Sequence, residues 1–176
     1  MRIEAKQCTA IAVDFQERLM PVMHGKEELV KRTGILLAGL RVLGIPVCIT
    51  QQYTKGLGMT IAEVTEAAGS SEYIEKIEFS SYGATADFIK SRKYVIVCGI
   101  EAHICVLQTV IDLKEKGFQP VLVTDCVSSR KESDKKIALM RARDEGVILT
   151  TSESILFELL KKAGTETSKK IQKLIK

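Results

Sequence analysis

The feature that most constrains this chain is a set of short apolar runs rich in Val and Ile, at residues 9–13, 46–50, 94–98 and 120–124. Each is nearly continuous rather than alternating. A strand with one wet face alternates apolar and polar residues, whereas a strand covered on both faces does not. The runs therefore predict strands of a parallel sheet enclosed between two helical layers. A weaker fifth run lies at 147–150. Helical patterns separate the runs. Residues 27–43 carry Leu29, Val30, Leu36, Leu37, Leu40 and Leu43, and Gly44 stops them. Residues 105–116 and 131–145 end in the same way at Gly117 and Gly146, and 152–162 opens on Ser152. Strand alternating with helix predicts a single α/β domain over residues 1–176 with a doubly wound, Rossmann-like layering. The segment 52–81 is the least regular. Around Tyr53, Gly56, Gly58 and Met59 it reads as a loop over the carboxyl ends of the strands, where open α/β sheets bind ligands.

Several function classes are disfavoured. No apolar run approaches the ~18 residues of a membrane span, and the short polar start does not read as a secretory signal. Basic residues exceed acidic ones by only 26 to 22, and much of the excess sits at Lys161, Lys162, Lys169, Lys170, Lys173 and Lys176. That pattern reads as a solvated helix face rather than a nucleic-acid surface. The five cysteines are odd in number and lack C-x-x-C spacing, so neither a disulfide framework nor a zinc site is expected. A reducing cytoplasm, no metal and no cofactor are the expectations. G-x-S-x-G, Walker A and complete dinucleotide fingerprints are missing.

In a parallel sheet the residues following each strand share one edge. Here these are Asp14, Gln51 and Gln52, residues 99–105, and Asp125. Cys105 stands near a predicted helix N-terminus, where the helix dipole and free N–H groups favour a thiolate and could hold an oxyanion. It reads equally as a small buried hydrophobe. His103 lies two residues away and does not share a helix face with it, so a carboxylate such as Asp14 is the better candidate base. Asp14 also fits a turn or helix cap. Lys76, among alternating charges, reads as a surface lysine, and spacing alone does not bring it to Cys105.

Three segments together resemble the isochorismatase-like hydrolases: Ala10-Ile-Ala-Val-Asp-Phe-Gln, Ile74-Glu-Lys-Ile-Glu-Phe-Ser-Ser-Tyr, and Val97-Cys-Gly-Ile-Glu-Ala-His-Ile-Cys-Val. The likeness runs from about residue 8 to 163, and the order of the segments is specific. It implies a three-layer α-β-α fold with a six-stranded, mostly parallel sheet. It also implies a catalytic triad of Cys105, Asp14 and Lys76, with the backbone N–H groups of Glu101 and Cys105 as oxyanion hole and a cis peptide between Ile100 and Glu101. Phe15, Gln51, Tyr53, Phe79, Ile100 and His103 are the expected substrate-pocket residues. The implied reaction is hydrolysis of a small-molecule amide, ureido or related C–N bond through a covalent thio-intermediate. The alternatives are a thiol enzyme acting on another electrophile and a non-catalytic binding or assembly member. True isochorismatases lack the cysteine, and nicotinamidases carry an Asp-x-His metal stretch where this chain has Gln51-Gln-Tyr-Thr. The resemblance therefore implies no metal, a substrate other than isochorismate or nicotinamide, and a homo-oligomer of two to eight copies.

Overall fold

The computed structural model describes residues 2–176. Its sheet contains β1 (Cys8–Val13), β2 (Val47–Gln52), β3 (Ile74–Lys76), β4 (Tyr94–Ile100), β5 (Gln119–Ser128) and β6 (Ile148–Thr150). The order is β3-β2-β1-β4-β5-β6, and every pair is parallel. The helices are α1 (Lys26–Val42), α2 (Thr54–Leu57), α3 (Ala62–Ala68), α4 (Tyr82–Ile89), α5 (Leu107–Glu115), α6 (Glu132–Asp144), α7 (Ser152–Leu160) and α8 (Glu166–Ile175). None of the described helices is long and apolar enough to cross a membrane.

The continuous apolar runs follow from two cores. In β1, Ala10 and Ala12 face one core with Leu36, Leu37 and Leu40 of α1, while Ile11 and Val13 face the other with Val110 and Leu113 of α5. In β4, Ile96 and Cys98 take the first side, and Val95 and Val97 the second. The period of two is present, but both phases are apolar, so it does not show in the sequence.

Three elements differ from the sequence reading. The segment 52–81 is structured, with α2, α3 and the edge strand β3 inside it. A three-residue strand is too short to display a period. The strand begun at residue 120 runs on to Ser128, so Asp125 lies within β5 rather than after it. Its carboxylate accepts from Ser152 N at 2.8 Å and Ser152 Oγ at 2.6 Å, holding the start of α7. The helix expected from residue 105 begins earlier, as a π-helical turn over Ala102–Val106 that runs into α5.

From β1 the chain builds outward through β2 to β3, then returns to place β4 on the other side of β1. The strand order therefore reverses between β1 and β4. The crevice beyond the carboxyl ends at such a reversal is where open α/β sheets bind ligands. Asp14 leaves β1 there, and the turn carrying Cys105 leaves β4 there. Gly99 lets the two strands meet. Its φ is +142°, and a Cβ on it would strike the Val13 carbonyl and side chain. Gly99→Ala is therefore expected to cost about 2–4 kcal/mol of stability, from strain and overpacking together. Urea denaturation measures this directly, and a cost below ~0.5 kcal/mol would contradict the close approach.

Candidate active site

Asp14 turns sharply out of β1 in the left-handed region, with φ +54°, and its N–H is held by Thr50 O at 3.2 Å. Aspartate tolerates this conformation better than most residues. The turn sends its carboxylate inward, where it is fully buried. Oδ2 meets Lys76 Nζ at 2.6 Å, and Oδ1 accepts from Thr50 Oγ1 at 2.8 Å. Lys76 closes β3 with its side chain fully enclosed while its neighbour Glu75 faces solvent, the alternation of an edge strand. Besides Asp14, its ammonium reaches Gln52 Oε1 at 2.7 Å, Phe79 O at 3.0 Å and Glu78 O at 3.2 Å. Four acceptors thus surround three N–H bonds. Gln52 is fixed in turn: its Nε2 donates to Ile77 O, and its backbone N–H donates to Gln16 Oε1 at 2.7 Å. Gln16 Nε2 donates to the carbonyls of Gln52 and Gly58, which ties the β1 exit to α2.

Cys105 lies in the π-helical turn, where the N–H groups of Ile104 and Val106 both bond to Glu101 O, at 3.0 and 3.2 Å. Single π turns recur at functional sites. The residue is only 7% exposed. Its pKa is pushed up to about 12. Burial contributes most to that shift and the charge of Asp14 next, while Lys76 acts the other way. This corrects the expectation that the helix start and a nearby cation would favour a thiolate: the resting sulfur is a protonated thiol. The peptide between Ile100 and Glu101 is cis, at the bond the resemblance indicated. The Glu101 carboxylate accepts from Arg130 N at 3.0 Å and Nε at 3.1 Å.

The structure thus brings Asp14, Lys76 and Cys105 together. The expected pocket residues divide by burial into three groups. Phe15 and Ile100 are enclosed in the core under α1 and present no surface to a ligand. Gln51 is also enclosed, its Oε1 accepting from Thr60 N and Oγ1. Tyr53 and Phe79, at 51% and 54% exposure, stand at the surface beside Lys76, whose carbonyl accepts from Tyr53 N and whose ammonium donates to Phe79 O. His103 is half-buried, with Nδ1 2.9 Å from Ser129 Oγ and Nε2 3.9 Å from Asp134. That Ser-His-Asp alignment has no open nucleophile, because Ser129 is fully buried. A groove of about 790 Å³ runs past Lys76 between the 75–84 segment and Gln108 and Asp112 of α5. Cys105 is not among its walls, so the candidate site rests on the grouping of the three side chains rather than on the groove. Among the described residues, no three His, Cys, Asp or Glu side chains gather into a metal-holding group. Sequence reasoning missed Gln16, Thr50, Ser81 and Thr109. The one available signal was the polar end, Thr50-Gln51-Gln52, of an otherwise apolar run.

The isochorismatase domain profile matches residues 8–154. The chain belongs to this family of hydrolases. It is 34% identical over 181 residues to isochorismatase domain-containing protein 2 of Danio rerio, covering 99% of this chain and 89% of that one. To a secreted isochorismatase effector of Phytophthora sojae it is 36% identical over 167 residues, with coverages of 90% and 76%. The solved structure of MAR1 ribonuclease from Caenorhabditis elegans superposes with a TM-score of 0.94 at 36% identity, covering 99% and 92%.

Two outcomes follow from the burial of these groups. Lys76→Met leaves the Asp14 carboxylate buried without its cation and is expected to cost about 3–5 kcal/mol, read by urea denaturation. The thiols of Cys8, Cys98 and Cys105 are raised to about 12, and that of Cys48 to about 11. An unfolded chain releases these protons near the ordinary thiol value of 9.0, so between pH 9 and 12 the folded state holds more of them. The stability they contribute is complete below pH 9 and is lost as pH rises through that window. The urea midpoint should fall from pH 8 to pH 10.5, and less steeply in Cys105→Ala. An identical fall in both proteins would contradict the raised Cys105 thiol.

Proposed function

We propose that this protein is a cysteine hydrolase that cleaves an amide, ureido or related C–N bond of a small molecule, with Cys105, Asp14 and Lys76 as its catalytic set. The observation that carries this reading is the buried Asp14–Lys76 ion pair, with the Cys105 thiol within reach of both charges. Asp14 takes the proton from Sγ as the sulfur attacks the carbonyl carbon. The backbone N–H groups of Glu101 and Cys105 hold the oxyanion. The C–N bond breaks, the proton passes from Asp14 to the leaving nitrogen, and a thioester remains on Cys105. Water adds to the thioester with Asp14 again as base, releasing the acid and restoring the thiol. Lys76 keeps its proton throughout and stabilises the carboxylate in its ionised form.

Tyr53, Phe79 and His103 are the pocket residues with surface to offer a substrate. Exposed Tyr53, Met59, Ile77 and Phe79 also fit a homo-oligomer that covers them. Cytoplasmic location fits five cysteines that are all free. The ribonuclease activity named for the nematode relative is not carried over: an RNA phosphate near Lys76 would meet a cation already paired, with Glu75, Glu78 and Asp112 along the adjoining groove.

A panel of small amides and ureides tests the assignment. Cys105→Ala should remove turnover while its melting temperature stays close to that of the parent, and Asp14→Asn should be nearly as inactive. Intact mass during turnover should show the acyl adduct on the parent protein only, and a chelator should leave the rate unchanged. Turnover persisting in Cys105→Ala would overturn the mechanism.

A further inference from the structure

The Asp14 carboxylate is held from two sides, and only Lys76 brings a charge. The other holder is the Thr50 hydroxyl, 2.8 Å from Oδ1. An ionised carboxylate only accepts, so Thr50 commits its single hydroxyl proton there. Thr50 Oγ1 also lies 3.2 Å from Ser81 Oγ. With the Thr50 proton committed, Ser81 is the donor in that bond. The backbone N–H of Ser81 donates to Thr109 Oγ1 at 2.8 Å, and Thr109 Oγ1 donates to the carbonyl of Cys105 at 2.7 Å. Thr50, Ser81 and Thr109 are all fully buried. Ser81, immediately before α4, is therefore a joint: its hydroxyl orients the donor to Asp14, and its N–H anchors the turn that carries Cys105. Valine would suit this strand position equally well, as it does elsewhere in the sheet, so packing does not account for the hydroxyl.

The geometry points to Thr50 as a positioning residue for Asp14, locked in its donor orientation by Ser81. It stabilises the ionised carboxylate and so keeps the proton on Cys105 until a substrate reaches the sulfur. This rests on the proposed roles of Asp14 and Cys105. The charged groups facing the thiol are Asp14, Lys76 and Glu101. Substitution at Thr50 changes none of them, so it shifts only the sharing of one proton between Sγ and the carboxylate. Removing the Thr50 donor destabilises the carboxylate and moves that proton toward Asp14, which exposes more thiolate.

The test is alkylation by iodoacetamide from pH 6 to 10, with each cysteine quantified by peptide mass spectrometry. Thr50→Ser should label Cys105 at the parent rate. Thr50→Val should label it up to about tenfold faster at pH 6, the effect of removing one hydrogen bond to a charged group. Transfer within the pair is independent of pH, whereas direct ionisation of the thiol grows tenfold per unit, so the gain should be largest near pH 6 and shrink toward pH 10. Ser81→Ala should show a smaller gain in the same direction, and it keeps the test available if Thr50→Val does not fold. Cys8, Cys48, Cys98 and Cys126 report unfolding. Equal acceleration at all five cysteines, or unchanged or slower labelling of Cys105 in both variants, would overturn the proposal. A parent Cys105 no more reactive than Cys98 at pH 10 would overturn the assigned nucleophile instead, and this inference with it.

Discussion

Everything at the carboxyl edge of this sheet depends on one buried ion pair. Asp14 and Lys76 come from segments 62 residues apart and meet at 2.6 Å with neither side chain exposed. Burying two charges costs several kcal/mol per ion, and only good geometry with every remaining hydrogen-bonding site filled offsets it. The surroundings meet that condition. Gln52 and the carbonyls of Glu78 and Phe79 complete the shell of the ammonium, and Thr50 fills the second carboxylate oxygen. The same bonds hold the short edge strand β3 and the 77–80 segment against the sheet, where few apolar contacts would do so. Site geometry and edge-strand order are thus one structural fact.

The pair also sets the state of the sulfur. A thiol enzyme with a resting thiolate needs a local positive charge in excess. Here the charge of Lys76 is met by Asp14, and burial raises the thiol to about 12. The pair and the thiol together carry no net charge, so the centre is neutral before substrate enters. In the proposed mechanism, proton removal is then coupled to attack rather than preceding it. In a low-dielectric site that ordering avoids an unpaired anion on sulfur, and it requires the base to lie beside the thiol from the start, the place the proposal gives Asp14.

Much of the fold was legible in the sequence, because strands covered on both faces leave continuous apolar runs, and Gly44, Gly117 and Gly146 mark the ends of α1, α5 and α6. The site was legible in pieces. The strand ends put Asp14 and residues 99–105 on one edge without any motif. Lys76 was not recoverable from local pattern: Glu-Lys-Ile-Glu looks like a solvated face, and only the pairing of β3 with β2 turns the lysine inward. The thiol's state was misjudged for a related reason. Charge and helix position can be read along a chain, but depth of burial cannot, and burial is the larger effect on Cys105. Phe15 and Ile100, expected to face a substrate, instead pack into the core because the residue bordering a strand end falls on either face of the sheet.

The position of the site follows from the sheet order. At the reversal between β1 and β4, the chain beyond the strands diverges to opposite faces: β1 feeds the loop toward α1, and β4 feeds the turn into α5. Divergence opens a crevice, and a crevice between two layers exposes polar groups from both. Gly99 brings the β1 and β4 backbones close at the foot of that crevice. The Asp14 turn and the π-helical turn begin one and two residues beyond their strands, so their side chains lean across the gap toward each other. Thr50 and Ser81 then bridge what the divergence separates, since one lies on the neighbouring strand and the other leads the helix beyond it. A carboxylate and a thiol emerging from adjacent parallel strands are brought together here by topology, and linked by a fully buried set of hydroxyls.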